Sequence, residues 1–450
     1  MSLQKKLSPH SGRRTRSLIA RSIAGLCLSA GLAQATFALG PNEIPIDALK
    51  GLNPHTGSLT AKHGAAKLSG FAAADAGTIQ NAATQGSGVP GIDSVANFTG
   101  SFVAAGLDPL GNPQSKWYYA MVGSRPDDGR AVSIDAPIIP VVVKLLDASG
   151  NVLVVNNIPM ISDGRKDVGL VLDSPVFAYH HYSTSEAPTQ ITDAIQRASF
   201  WNRAEDSWHT MLRPQVATTR VIELPFGSYY YGLNPDGTLA FVLASDPVFS
   251  NLLFPPTYPV DNTTILGAAE LAGEVTTKTI ATLLFDNVYL YENNDPNQCC
   301  VLGYHEFDAE PGTAANGNLP RFYVMNYSSW ISPGLFGGGF QDVTALSHEM
   351  AEIFADPFVG FDNVHNITPW WLSPSGGQCN DILEVGDVIE GNATPTYPIT
   401  MNGYVYHPQN ETLLSWFEFQ SPSRAFGHAY SYPDPTQVPA LSPVETVNCK

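Results

Sequence analysis

ALSHEMAEIFADP, residues 345–357, sets a histidine and two glutamates into five positions, His348-Glu349-Met350-Ala351-Glu352. From Asp342 to Ala355 the apolar residues Val343, Leu346, Met350 and Ile353 recur at steps of three and four, the period of a helix with one buried face. Asp342 offers an N-cap. Asp356-Pro357 supplies a stop, because proline disfavours helical backbone in the residue before it. On that helix His348 and Glu352 lie four apart and project together. An imidazole nitrogen and a carboxylate oxygen placed in this way can hold one divalent ion. Glu349, next to His348, can then take a proton from water beside the ion. This is the logic of the H-E-x-x-H zinc hydrolases with glutamate in place of the second histidine. The small side chains of Ala345, Ala351 and Ala355 leave room for ion and substrate.

Two ligands leave such a site incomplete, since catalytic zinc takes three protein groups and water. The stretch CNDILEVGDVIEGN (379–392) carries the leading third ligands, Glu384 and Asp387, with Asp381 and His365 behind them. The alternative for this acidic run is a solvated loop. RFYVMNYS (321–328) reads as a strand that would line the cleft and pair with an extended substrate. His305, in LGYHEF (302–307), lies on an apparent strand and reads either as a hydrogen-bonded core histidine or as a further member of the site. His180-His181 point to opposite faces of a strand and read as structural. GLFGGGF (334–340) reads as a connector, with a lid as the alternative.

The 450 residues are 44% hydrophobic and 10% aromatic, ample for packed cores. Residues 1–38 read as a cleavable export signal. Six basic residues from Lys5 to Arg21 precede an apolar run, Ile23–Leu32, and small residues follow it. Removing that segment leaves 23 less six basic residues against 41 acidic ones, a net charge of about −24. Such a surface repels phosphate backbones and excludes nucleic acid as a natural partner. No later stretch is apolar enough for a membrane span. The expected location is therefore extracellular, or periplasmic. Oxidising surroundings would let Cys299 and Cys300 each pair with Cys379 or Cys449, adjacent cysteines being awkward partners for one another.

Residues 39–115 are rich in Ala, Gly and Ser and read as a loose extension. Residues 116–262 read as β-rich, with KWYYAMVG and PIIPVVVKLLD as strands. Asn234-Pro235-Asp236-Gly237 turns a hairpin there, and TDAIQRASFW is a helix capped by Thr192 or Asp193. Residues 263–450 contain the helix TILGAAELAGEV, strands in TKTIATLLFDNVYLYE, and the His348 segment. The fold class expected is α+β.

Several separated stretches resemble one family, the Exordium-like (phosphate-induced) proteins and their bacterial secreted relatives. SHEMAEIFADP is similar to that family's His-Glu-x-x-Glu segment and EVGDVIEG to its downstream acidic stretch. LGYHEF is similar to its Gly-Phe/Tyr-His segment, and ITMNGYVYHPQNETLLSWF to its Met-Asn-Gly…Trp ending. SPVFAYHHYS and TDAIQRASFW resemble the N-terminal half of bacterial members. The order is colinear from about residue 130 to 430. The resemblance implies a zincin-like C-terminal half in which His348, Glu349 and Glu352 match the metal helix, Glu384 and Asp387 the acidic motif, and His305 the upstream histidine. Ile389 stands where the family has a cysteine. The expectation is a secreted zinc-dependent metallopeptidase acting on peptide or protein, with manganese or calcium as alternative ions. Its rival is a non-catalytic protein that binds cell-wall polymer or a partner and keeps the metal site as a structural remnant.

Overall fold

PIIPVVVKLL, residues 137–146, is too continuously apolar for a strand with one wet face, and it lies in the buried spine of the molecule. The computed structural model describes residues 40, 42–52, 54–55, 88–103, 116–182, 187–255, 262–337, 339–359, 371–372, 379–380, 383–418 and 429–439. The chain is mixed α and β, richer in strand than in helix.

β1 (Asn97–Val103) and β2 (Lys116–Val122) form an antiparallel ribbon. β3 (Val132–Leu145) is the spine. A small hairpin, β4 (Val154–Val155) and β5 (Ile158–Pro159), leads to β6 (Ile161–Asp163), antiparallel to β3. β7 (Thr210–Val216) and β8 (Arg220–Leu224) both run parallel to β3, along its first and last halves. β9 (Tyr229–Leu233) and β10 (Leu239–Ser245) make the hairpin that the Asn-Pro-Asp-Gly turn forecasts. β11 (Ile280–Asp286), β12 (Val288–Tyr291), β13 (Cys299–Val301), β14 (Gly303–Glu310) and β15 (Arg321–Trp330) follow.

The larger sheet has the order β14-β15-β11-β3-β6, with β7 and β8 also on β3. A four-stranded sheet runs β13-β12-β10-β9. Strands from both sides of residue 262 therefore share one sheet. β1 likewise pairs with β2 across residue 115, and Val89, Val95 and Phe98 join the main core. Phe98 meets Tyr119 and Phe200 edge-on. A short apolar stretch inside a long Ala/Gly-rich region is diluted by composition, yet it is enough to anchor a strand.

Four local expectations need correction. β15 cannot pair with a substrate strand, because β14 binds it antiparallel on one side and β11 parallel on the other. Asp342 is not an N-cap. The helix spans Thr344–Ala355, and Asp342 accepts instead from the backbone of Val343 and His407. Thr192 and Asp193 lie inside helix Ile191–Ser199, whose N-cap is Gln190. Cys299 and Cys300 are joined to each other; the peptide between them is cis and their Cα atoms are 3.0 Å apart, which brings both sulfurs within bonding reach. Cys449 lies outside the described residues.

In the connector before the central helix, Leu335 and Phe336 are buried, and Phe336 packs on Tyr289 with ring centroids 4.9 Å apart. Among the described residues no helix is long and apolar enough to cross a membrane.

Candidate metal centre

Every residue of helix Thr344–Ala355 is buried, polar ones included. Val343, Leu346, Met350 and Ile353 enter the main core, as the three-and-four spacing requires. The remaining face turns towards β14. Alternation along that strand puts Phe307 and Ala309 in the core around the helix and Tyr304 in the core across the sheet. His305 shares the parity of Phe307 and meets the helix.

Its Nδ1 lies 3.3 Å from Glu349 Oε2 and 3.5 Å from Glu352 Oε2. His348 Nε2 lies 3.1 Å from Glu352 Oε1, the contact expected of residues four apart. The downstream acids come to the same place. Asp387 Oδ1 is 3.5 Å from His348 Nε2, and Glu384 groups with His305 and Glu352. All six residues singled out in the sequence, His305, His348, Glu349, Glu352, Glu384 and Asp387, thus converge, each at most 3% exposed. Glu384 and Asp387 are not alternatives: one stands with His305, the other with His348. His365 and Asp381 lie outside the described residues.

The acidic segment is held by a polar strap. Gly386 N donates to Glu352 Oε1, while Gly386 O accepts from Gln409 Nε2. Gln409 N in turn donates to Ser347 Oγ on the helix. Thr412 N donates to Val385 O. Gly386 is required by close approach, since a Cβ there would overlap His348 Nδ1 and stand 2.9 Å from Glu411 Oε2. A Cβ on Gly303 would meet Glu349 Oε1 at 3.0 Å.

Two acids escaped the sequence reading. Glu390 groups with His348 and Asp387. Glu411 is fully buried against Gly386, and its carboxyl feels the charges of His348, Glu352 and Asp387. Glu390 was visible in the acidic run. Glu411 sits alone in NETLL, and no local spacing connects it to the helix.

The electrostatics follow from burial and crowding. Burial opposes charge on His305, but its hydrogen bonds to Glu349 and Glu352 outweigh that and bring its pKa to about 10. His348 is likewise pushed well above the usual histidine range, burial being overcome by Glu352 and Asp387. Burial would raise Glu352, yet His348 and His305 hold it well below the carboxylate range. Burial lifts Glu349 to about 7 against the pull of the two histidines. Glu384 is raised strongly, by burial and then by the charges of Glu352 and Asp387. Without a cation the cluster must carry protons to offset its own charge.

The donor set fits a divalent ion. Zinc held at about 2.0–2.2 Å by nitrogen and oxygen ligands keeps them roughly 3.3–3.5 Å apart at tetrahedral angles. The His348–Glu352 and His348–Asp387 separations of 3.1 and 3.5 Å are of this size. Buried oxygens lacking any hydrogen-bond donor point the same way: both of Glu384, both of Glu411 and Oε1 of Glu349. No protein-family model, curated protein or solved structure matches this chain.

Proposed function

We propose that the chain is an extracellular metal-dependent hydrolase of peptide bonds, with a zincin-like arrangement of helix, strand and downstream acids. The observation that carries this reading is that Glu352 Oε1 and Asp387 Oδ1 both stand at ligand spacing from His348 Nε2, with Glu349 grouped beside His348 and Glu352. These three would hold the ion, zinc or, given two carboxylates, a harder one such as manganese. When bound, it would polarise a carbonyl and acidify water. Glu349, poised near neutrality, would take the proton of the attacking water. As the carbon–oxygen bond forms and the carbon–nitrogen bond breaks, Glu349 would pass that proton to the leaving amine. His305, hydrogen-bonded to Glu349 Oε2, would hold the carboxylate with Oε1 free for this work.

Glu349→Gln tests the assignment. The variant is expected to keep its bound metal and to lose cleavage of casein or a peptide library by about 10²–10⁴-fold. A second reading is favoured by the near-complete burial of the site residues. It is a non-catalytic protein, binding cell-wall polymer or a partner, in which the ion is structural. Stoichiometric metal in a wild-type protein that cleaves no peptide would establish that reading instead.

A further inference from the structure

Glu352 presents its two oxygens to two different histidines. Oε1 lies 3.1 Å from His348 Nε2, and Oε2 lies 3.5 Å from His305 Nδ1. Each histidine also has its own downstream acid. Asp387 accompanies His348, while Glu384 has a ligand atom within 4.8 Å of His305 and Glu352. Two histidine–acid groups therefore meet at Glu352 through opposite oxygens: His348 with Glu352 and Asp387 each at 3.5 Å or less from its Nε2, and His305 with Glu352 and Glu384. A carboxylate that bridges two ions uses its oxygens in this way, and paired ions in hydrolytic sites stand roughly 3.5–4 Å apart.

Charge argues for the same count. Glu349, Glu352, Glu384, Asp387, Glu390 and Glu411 surround the two histidines, none of them more than 7% exposed. Desolvating carboxylates is costly unless their charge is matched. One divalent ion offsets two of the six formal negative charges; two ions offset four. The ion assigned to His348 also leaves the second group unexplained. Both oxygens of Glu384 are buried and receive no hydrogen-bond donor, and Glu384 belongs to the group around His305.

The geometry points to a two-ion centre, an inference that rests on the metal-centre reading above. One ion is held by His348, Asp387 and Glu352, and a second by His305, Glu384 and Glu352, with Glu352 bridging. Glu349 borders the second position, its Oε2 being 3.3 Å from His305 Nδ1.

The test is metal content, read by elemental analysis of the purified protein after equilibration with zinc and removal of free ion. The expected result is two equivalents in wild type, one in Glu384→Gln, one in Asp387→Asn and none in Glu352→Ala. One equivalent in wild type, unchanged by Glu384→Gln, overturns the second ion and leaves the first intact. No bound zinc in a folded wild-type protein removes the metal centre altogether. Buried substitutions can prevent folding, so cobalt-loaded wild-type protein gives an independent readout. Two anomalous-scattering peaks flanking Glu352 are expected, and a single peak refutes the proposal.

Discussion

Asp193 and Glu384 are both carboxylates with no exposed surface, yet the protein treats them in opposite ways. Asp193 is saturated. Its Oδ1 accepts from Thr210 N at 2.7 Å; Oδ2 accepts from Thr189 Oγ1 at 2.6 Å and faces His209 Nδ1 at 2.8 Å. Asp342 repeats the pattern, taking bonds from Val343 N, His407 N and His407 Nδ1 at 2.7–2.8 Å. Glu384 receives no donor at all, and the contacts around it run between acids and histidines at 3.1–3.5 Å. A histidine beside a buried acid is thus no mark of function in itself. What separates the two regions is saturation: where the role is structural the donors are supplied by the chain, and at the centre both oxygens of Glu384 and of Glu411 lack them.

The widest consequence is for Asp193→Ala. Removing it leaves a buried backbone N–H and a threonine hydroxyl unpaired and strips His209 of its partner. The expected loss is about 3–5 kcal/mol, the same with or without added metal, measured by denaturant unfolding. A metal-dependent loss would erase the distinction between the regions. Withdrawal of the ion should come next. At a free-ion concentration one hundred times Kd, a ligand that binds only the folded state stabilises it by ~2.7 kcal/mol. Chelation is expected to lower Tm accordingly in wild type, and Glu352→Ala should show no response to chelator. An unmoved wild-type Tm would place the centre with the structural clusters.

Legibility in the sequence follows the same division. The helix was readable because its apolar spacing and its ligand spacing are one local pattern, and Asp387 and Glu384 were readable because acids are bunched there. Glu411 was not: its place depends on Thr412 pairing with Val385 and on Gly386 letting the chains touch. His305 was half-readable, since strand alternation fixes only that it opposes Tyr304, and the sheet decides which face the helix covers. The same limit hid the order of β14 and β15. Each reads as an apolar strand, and nothing in RFYVMNYS shows that both its edges are used. Adjacent cysteines at 299 and 300 read as partners for distant sulfurs because their joining depends on the local backbone, which residue type alone does not reveal.

Between the saturated and bare extremes stands Asp167, whose Oδ2 meets no hydrogen-bond donor and which lies near Lys166 and Asp286. Burial, then the charge of Asp286, lifts its pKa to about 8 despite Lys166. A folded pKa above the unfolded one means that the native state holds the extra proton. Stability is therefore highest below about pH 4 as far as this group is concerned, and falls as pH rises towards 8. Asp167→Asn is expected to remove that fall and to gain roughly 2 kcal/mol at pH 9, read from Tm against pH. A gain independent of pH would show that the carboxyl is not the source.

The smallest effect is the sharpest discriminator. In metal-free protein Glu384 should hold a proton at neutral pH, because burial, and then the charges of Glu352 and Asp387, oppose its ionisation. Glutamine carries that proton permanently in the form of an amide N–H aimed at Glu352. Glu384→Gln should then be neutral below the usual glutamate range and should stabilise the metal-free protein by roughly 1 kcal/mol above it, where the unfolded chain ionises and native Glu384 does not. With zinc present the sign reverses, since the amide is a poorer ligand than the carboxylate and the ion's stabilisation shrinks. A structural acid such as Asp193 cannot behave in this way: replacing it removes an acceptor that donors depend on, and the cost has one sign at every pH and every metal concentration. If Glu384→Gln destabilises the protein alike with and without zinc, its carboxylate serves the fold, and bare oxygens in a buried cluster cease to be a guide to where ions bind.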